Sequence, residues 1–201
     1  MSTLPSQPLL VLADRVVPQA WRNGGGQTRE LLAWPTAAAW QLRISRADIQ
    51  ASGPFSRFAG VQRWFVVLSG NGVVLHMPTH DHHTQDHTLL PGHLPLHFDG
   101  DLAPGCTLVQ GPTQDLNLMA HGGQACMVPA EAAQPWQSVH AMCGLYSACA
   151  GVWQCGHHRV ALQPHTLLWL QHAPQESMCF LPTDPASSMA WWLGYTPQAP
   201  T

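Results

Sequence analysis

Apolar residues recur along this chain at the spacing of short strands. Alternating or continuous runs occur at PLLVLA, TRELLAW, WQLRISRADI, QRWFVVLSG, GVVLHM, CTLVQG and DLNLMA, and again at QACMVPA, SVHAMCGLYSA, GVWQC, HRVALQ, TLLWLQH, SMCFL and MAWWLGY. These roughly fourteen runs read as strands, because each has strand length and is bounded by turn residues. The punctuation is clearest at Gly53 to Phe55, Ser69 to Gly72, Leu90 to His93 and Ala120 to Gln124. Helical patterning is confined to AAAW and AEAAQ, stretches too short to hold a helix alone. RWFVVLSG and TLLWLQ are apolar on both faces, as strands of a closed or double-layered β structure are. The pattern predicts an all-β chain built from barrels or jelly rolls.

A coarse echo divides the chain. FVVLSGNGVVLHM, a polar stretch and LPLHF are answered by LYSACAGVWQC and HRVALQPHTLLWL, each reading as hairpin, turn, hairpin. The boundary falls between residues 118 and 124, which gives units of 1–119 and 120–201. The length of 201 residues suits one large domain or two compact halves of roughly 100 residues each.

Composition narrows the partner classes. Only 9% of residues are charged, there is no lysine and the net charge is -3, so the basic footprint that neutralises nucleic-acid phosphates is missing. The opening MSTLPSQPLLVLADRVV has no basic segment followed by a long apolar core, and no run approaches the roughly 20 apolar residues of a membrane span. A soluble, cytoplasmic protein with no membrane or nucleic-acid partner is expected. Cys106, Cys126, Cys143, Cys149, Cys155 and Cys179 contain no C-x-x-C pair and read as free, mostly buried thiols.

The chemistry concentrates in WRNGGGQTRELL, Trp21 to Leu32. Glycines before a threonine invite a phosphate cradle, but a P-loop needs a lysine and a dinucleotide loop must open a helix, whereas Thr28 to Trp34 reads as a strand. Two readings remain, a mobile turn or a loop that brings backbone close to a ligand. Seven of the eight arginines lie in the first 63 residues. Arg29, Arg43 and Arg63 fall within strand-like runs, where a guanidinium must snorkel outward or be paired, with Glu30 and Asp48 at hand. A pair converging inside a barrel would make a fork suited to a carboxylate. DLNLMA sets Asp115, Asn117 and Met119 on one face; in an ordinary sandwich the first two would face water.

WRNGGGQTRELL, WQLRISRADIQASGPFSRFAGVQRWFVVLSGNG, LHFDGD and GPTQDLNLMAHGG, in this order, resemble the HutD/Ves family of bicupin proteins over residues 21 to 122. The resemblance implies two tandem cupin barrels of the RmlC-like jelly-roll type. It also implies association with histidine utilisation by binding a small metabolite rather than by catalysing a step. The family's shared positions fall on Trp21, Asn23, Gly24, Gly25, Gly26, Thr28, Arg29, Arg43, Gly53, Pro54, Phe55, Arg63, Gly70, Asp115, Asn117 and Met119. Ala20, Leu116 and Ala120-His121 depart from the pattern, the last by removing positive charge.

Most cupin enzymes hold a divalent metal through a histidine cluster, but after Gly70 this chain offers His76 followed by Met77 and Pro78. His80, His82, His83 and His87 lie in what reads as a polar hairpin loop, which fixes no second shell. Cys149, Cys155, His157 and His158 lack structural zinc spacing. The expectation is therefore a bicupin without metal or cofactor that binds a small anionic metabolite. Arg43 and Arg63 would take its carboxylate, while Asn23, Thr28 and the Gly24, Gly25 and Gly26 amides shape the mouth. Arg29 would pair with Asp115 or the ligand, and Asn117 would donate and accept from the same wall. The rivals are a cupin enzyme, metal-dependent or using Asp115 or a histidine as general base, and an interaction module whose nine tryptophans form apolar patches for a homodimer.

Overall fold

The computed structural model describes residues 7–79 and 83–199, at Ser187 for the backbone alone. The strands are β1 (Leu9–Leu12), β2 (Gln19–Ala20), β3 (Gly26–Trp34), β4 (Leu42–Ile49), β5 (Gly53–Pro54) and β6 (Val61–Gly70). They continue with β7 (Val73–Pro78), β8 (Thr84–Leu89), β9 (Leu96–Asp99), β10 (Gly105–Leu108), β11 (Thr113–His121) and β12 (Gln124–Pro129). The last are β13 (Met142–Ser147), β14 (Gly151–Cys155), β15 (His158–Leu162), β16 (Thr166–Leu170), β17 (Met178–Pro182) and β18 (Ala190–Thr196). Among the described residues the helical segments are three short 3-10 turns, and no helix is long and apolar enough to cross a membrane.

The chain divides into two compact units. Val17–Gly122 folds as a six-stranded sheet, β2-β3-β4-β11-β6-β9, and a four-stranded sheet, β5-β10-β7-β8. Ile49, Phe65, Val67 and Phe98 of the first sheet meet Val73, Leu75, Met77, Leu89 and Cys106 of the second in one apolar core. The period of two explains the composition of β7, where Val73, Leu75 and Met77 point inward and His76 outward. The other unit pairs a five-stranded sheet, β1-β16-β13-β18-β12, with a three-stranded sheet, β15-β14-β17. Its interior is filled by Trp153, Phe180, Trp192, Leu145, Leu168 and Met178, with Trp136 stacked on Trp192 at 4.9 Å. Each unit is thus two antiparallel sheets packed face to face, the jelly-roll arrangement, rather than a single closed sheet.

Two features differ from the sequence reading. The chain divides between Gly122 and Gly123, inside the 118–124 range, but the segment ending at Val16, which that reading kept in the first unit, belongs to the second. The cause is β1, which pairs with β16 with Leu10 opposite Leu168; local sequence does not say which sheet edge a terminal strand will cover. The apolar pattern also passes over β2, β5 and β8, whereas β9 falls on LPLHF. Two of these are dipeptides, and β8 (TQDHTL) is a largely exposed edge strand with no alternation to detect. His87, read as part of a loop, therefore stands in β8 opposite Leu75, while His80 and His82 lie outside the described residues.

Candidate functional site

Strand register inside Val17–Gly122 builds a cavity of about 490 Å³. One rung sets Arg43, Met119 and Arg63 side by side on β4, β11 and β6; the next sets Ser45, Asn117 and Phe65, and the third Ala47, Asp115 and Val67. The period of two places all of these on one face. Phe65 and Val67 continue into the core, and the others line the cavity. Asp115 and Asn117, expected to face water in a plain sandwich, are 1% and 7% exposed.

Arg63 is the central group. It is 5% exposed, and its guanidinium lies 5.0 to 5.6 Å from the ring centroids of Phe98, Phe55 and Phe58. Cation–π attraction to these rings partly replaces lost hydration. Its Nη2 donates to Asn117 Oδ1 at 2.9 Å, while Nε and Nη1 are buried without an acceptor. Burial lowers its pKa to about 10, which Asp115 opposes and Arg43 reinforces, so it remains a cation at neutral pH. Asn117 Nδ2 donates in turn to Asp115 Oδ1. Burial pushes the Asp115 carboxyl up to about 8, with Arg63 and the Asn117 bond opposing and Asp48 adding to the rise. The cavity therefore holds a cation and a carboxyl whose burial favours its protonated form, joined by one amide.

Arg43 reaches the cavity from β4 and its Nε donates to Glu30 Oε2 at 2.8 Å. A register shift in β3 between Glu30 and Leu32 accompanies this cross-strand pairing. Arg29 corrects the sequence expectation, since it meets neither Asp115 nor the cavity. It donates to Asp48 at 2.5 Å, and Gln27 and Gln114 donate to the same carboxylate at 2.7 Å. Burial alone would raise Asp48, but these three bonds outweigh it and hold its pKa below the usual aspartate value.

The glycine loop splits in the same way. Asn23 and Thr28 line the cavity, but Gly24, Gly25 and Gly26 do not. Their work is to close a tight turn: Trp21 N–H donates to Gly26 O, Gly24 N–H to Trp21 O, and Gly25 N–H to Asn23 Oδ1. Gly24 has φ +70°, and a Cβ on Gly26 would stand 2.4 Å from Asp48 O and 3.1 Å from the Trp21 ring. Trp21, held by its Nε1 bond to Thr28 Oγ1 at 2.7 Å, forms the wall instead, edge-on to Phe55.

Sequence reasoning missed Ser45, Phe55 and Phe58 as lining residues. Ser45 was detectable as the position between Arg43 and Ala47 in a period of two; the phenylalanines sit in the irregular turn after β5, where no period applies. The lining carries three arginines and one carboxylate but neither histidine nor cysteine, a donor set that does not suit a divalent metal. Among the described residues no group of three or more His, Cys, Asp or Glu side chains is placed to hold one. His76 binds Asp86 at 2.6 Å and Thr107 at 2.8 Å on the outer face of the four-stranded sheet. All six cysteines are free, and burial pushes the thiols of Cys106 and Cys143 up to about 12.

The chain resembles known proteins along most of its length. It is 31% identical over 187 residues to the protein Ves of Citrobacter koseri, covering 88% of this chain and 91% of the relative. It superposes on HutD from Pseudomonas fluorescens SBW25 (formate condition) with a TM-score of 0.81 and 26% identity, covering 96% of this chain and all of that one. A Bacillus subtilis oxalate decarboxylase mutant shares the cupin fold at a TM-score of 0.65 and 6% identity, covering 97% of this chain and 79% of that one. The HutD family profile matches residues 13–184. With the two jelly rolls already described, that match makes this chain a member of the HutD family, a bicupin.

Proposed function

We propose that the cavity binds a small anionic metabolite through its carboxylate, in the cytoplasm, and that the protein modulates histidine utilisation by that binding. The observation that carries the reading is Arg63, a buried cation with two unsatisfied donors at the wall of a cavity. An unmet buried donor costs roughly 1–3 kcal/mol, and a carboxylate supplies charge-assisted acceptors of the right geometry. Arg43 stands on the same rung and adds a second donor group. The HutD name of the fluorescens structure supports the pathway.

Calorimetric titration with urocanate, formylglutamate and formiminoglutamate tests this. Stoichiometric heat with at least one is expected, with affinity falling about 10- to 100-fold in Arg43→Ala and Arg63→Met, the range of a charged hydrogen bond. No heat with any of them, or unchanged affinity in both variants, removes the reading. A second reading, a metal-free enzyme, draws on Asp115, a buried acid placed for proton transfer. Chemical change of a bound metabolite, followed by NMR and lost in Asp115→Asn, would favour it.

A further inference from the structure

The charge inside the cavity is set by which ionisable groups already have partners. Arg43 can still donate to a carboxylate beside Arg63, but its charge is already met by Glu30. Arg22 lines the cavity but is exposed, where water and salt screen it. That leaves Arg63, bonded to a neutral amide, with Asp115 beyond that amide. Asn117 cannot be turned round, because a guanidinium only donates, so Oδ1 must face Arg63 and Nδ2 must face Asp115. Among the described residues, the other groups around Asp115 bring no second cation. Opposite it stand Ala47 on β4 and Val67 on β6; Asp48 is held from elsewhere by Arg29, Gln27 and Gln114. Cys106 on β10 carries an uncharged thiol, and Glu30 on β3 is tied to Arg43.

Resting on the carboxylate reading above, we propose that the site selects ligands with one carboxylate, held at Arg63, and a neutral hydrogen-bonding group at the Asp115 end, and that it discriminates against dicarboxylates of the same length. A second carboxylate would lie against Asp115 with no free cation, and burying an unpaired charge is costly. An amide or carbonyl oxygen there accepts instead from the protonated Asp115 carboxyl. Burial, the largest influence on Asp115, favours that protonated form. Once Asp115 ionises, it cancels the charge of Arg63 and affinity for any carboxylate falls. Conversely, a bound anion holds the proton in place, so binding above about pH 8 takes up a proton.

Glutarate and its monoamide, glutaramate, differ at one end only and make the test. Calorimetry at pH 6.5 and 9, in two buffers of different ionisation enthalpy, is expected to show glutaramate at least tenfold tighter at pH 6.5. Its affinity should be about tenfold weaker at pH 9, with proton uptake, and Asp115→Asn should bind it equally at both. Glutarate binding as tightly as glutaramate, or unchanged pH dependence in Asp115→Asn, overturns this inference alone provided Arg63→Met still weakens binding. Failure of both probes to bind at either pH overturns this inference, and the carboxylate reading falls with it only if urocanate, formylglutamate and formiminoglutamate also give no heat. If Asp115→Asn does not fold, the ratio of the two probes on the unaltered protein decides.

Discussion

At the scale of single residues, the proposed ligand site implies that Arg63 and Asp115 are held for a ligand rather than for the fold. Replacing Arg63 by methionine removes one hydrogen bond and the ring contacts, but it also removes a desolvated charge and two unmet donors. These changes oppose each other. The unfolding free energy of the ligand-free protein should therefore change by no more than about 1 kcal/mol, against the 3–5 kcal/mol lost when a buried ion pair is broken. Denaturant unfolding checks this, and a loss above about 3 kcal/mol would make Arg63 a structural keystone. Asp115 makes a prediction with a definite sign. Burial pushes its carboxyl from the ordinary 3.8 up to about 8 in the folded protein, so its contribution is fully present below about pH 4 and is lost as pH rises through about 8. Asp115→Asn should flatten the fall in stability across that window; an unchanged pH profile would contradict the buried neutral acid.

At the scale of elements, the glycine loop positions Trp21. A Cβ on Gly26 collides with Asp48 O and the Trp21 ring, whereas one on Gly24 meets nothing within 4 Å and suffers only its φ of +70°. Gly26→Ala should cost more than Gly24→Ala, about 1–3 kcal/mol for overpacking against roughly 1–2 kcal/mol for the left-handed backbone. Only Gly26→Ala should shift Trp21 fluorescence; equal effects on it from both variants would show that the loop does not seat the ring. The loop's presence was legible in the sequence, but its role was not. Glycine declares backbone freedom, and whether that freedom serves a ligand or a neighbouring ring depends on partners such as Asp48 that lie 22 or more positions away. Arg29, Arg43 and Arg63 looked alike as arginines in strands for the same reason. Strand register sends Arg43 and Arg63 to the cavity and Arg29 to Asp48.

At the scale of the molecule, the chain carries two jelly rolls of different interior. In the first, the inward rows of β4 and β6 pass from arginine at the cavity to Ile49, Phe65 and Val67 in the core, while β11 keeps Asn117 and Asp115 at the cavity; in the second, large aromatics fill the space. Strand content was readable from alternation, whereas the assignment of β1 to the second unit was not, because its four-residue apolar run would suit any open edge. Deleting residues 1–12 should uncover β16 and destabilise the unit built around Trp153 and Trp192, with hydrogen exchange accelerating in β16 and β13 while β4 and β11 keep their protection. The central claim concerns the first unit, and a crystal structure with glutaramate at saturating concentration tests it most directly. The account predicts the ligand's carboxylate within hydrogen-bond distance of Arg63, engaging Nε or Nη1, with its amide toward Asp115. A ligand bound elsewhere, or a carboxylate that leaves both nitrogens without an acceptor, would contradict it.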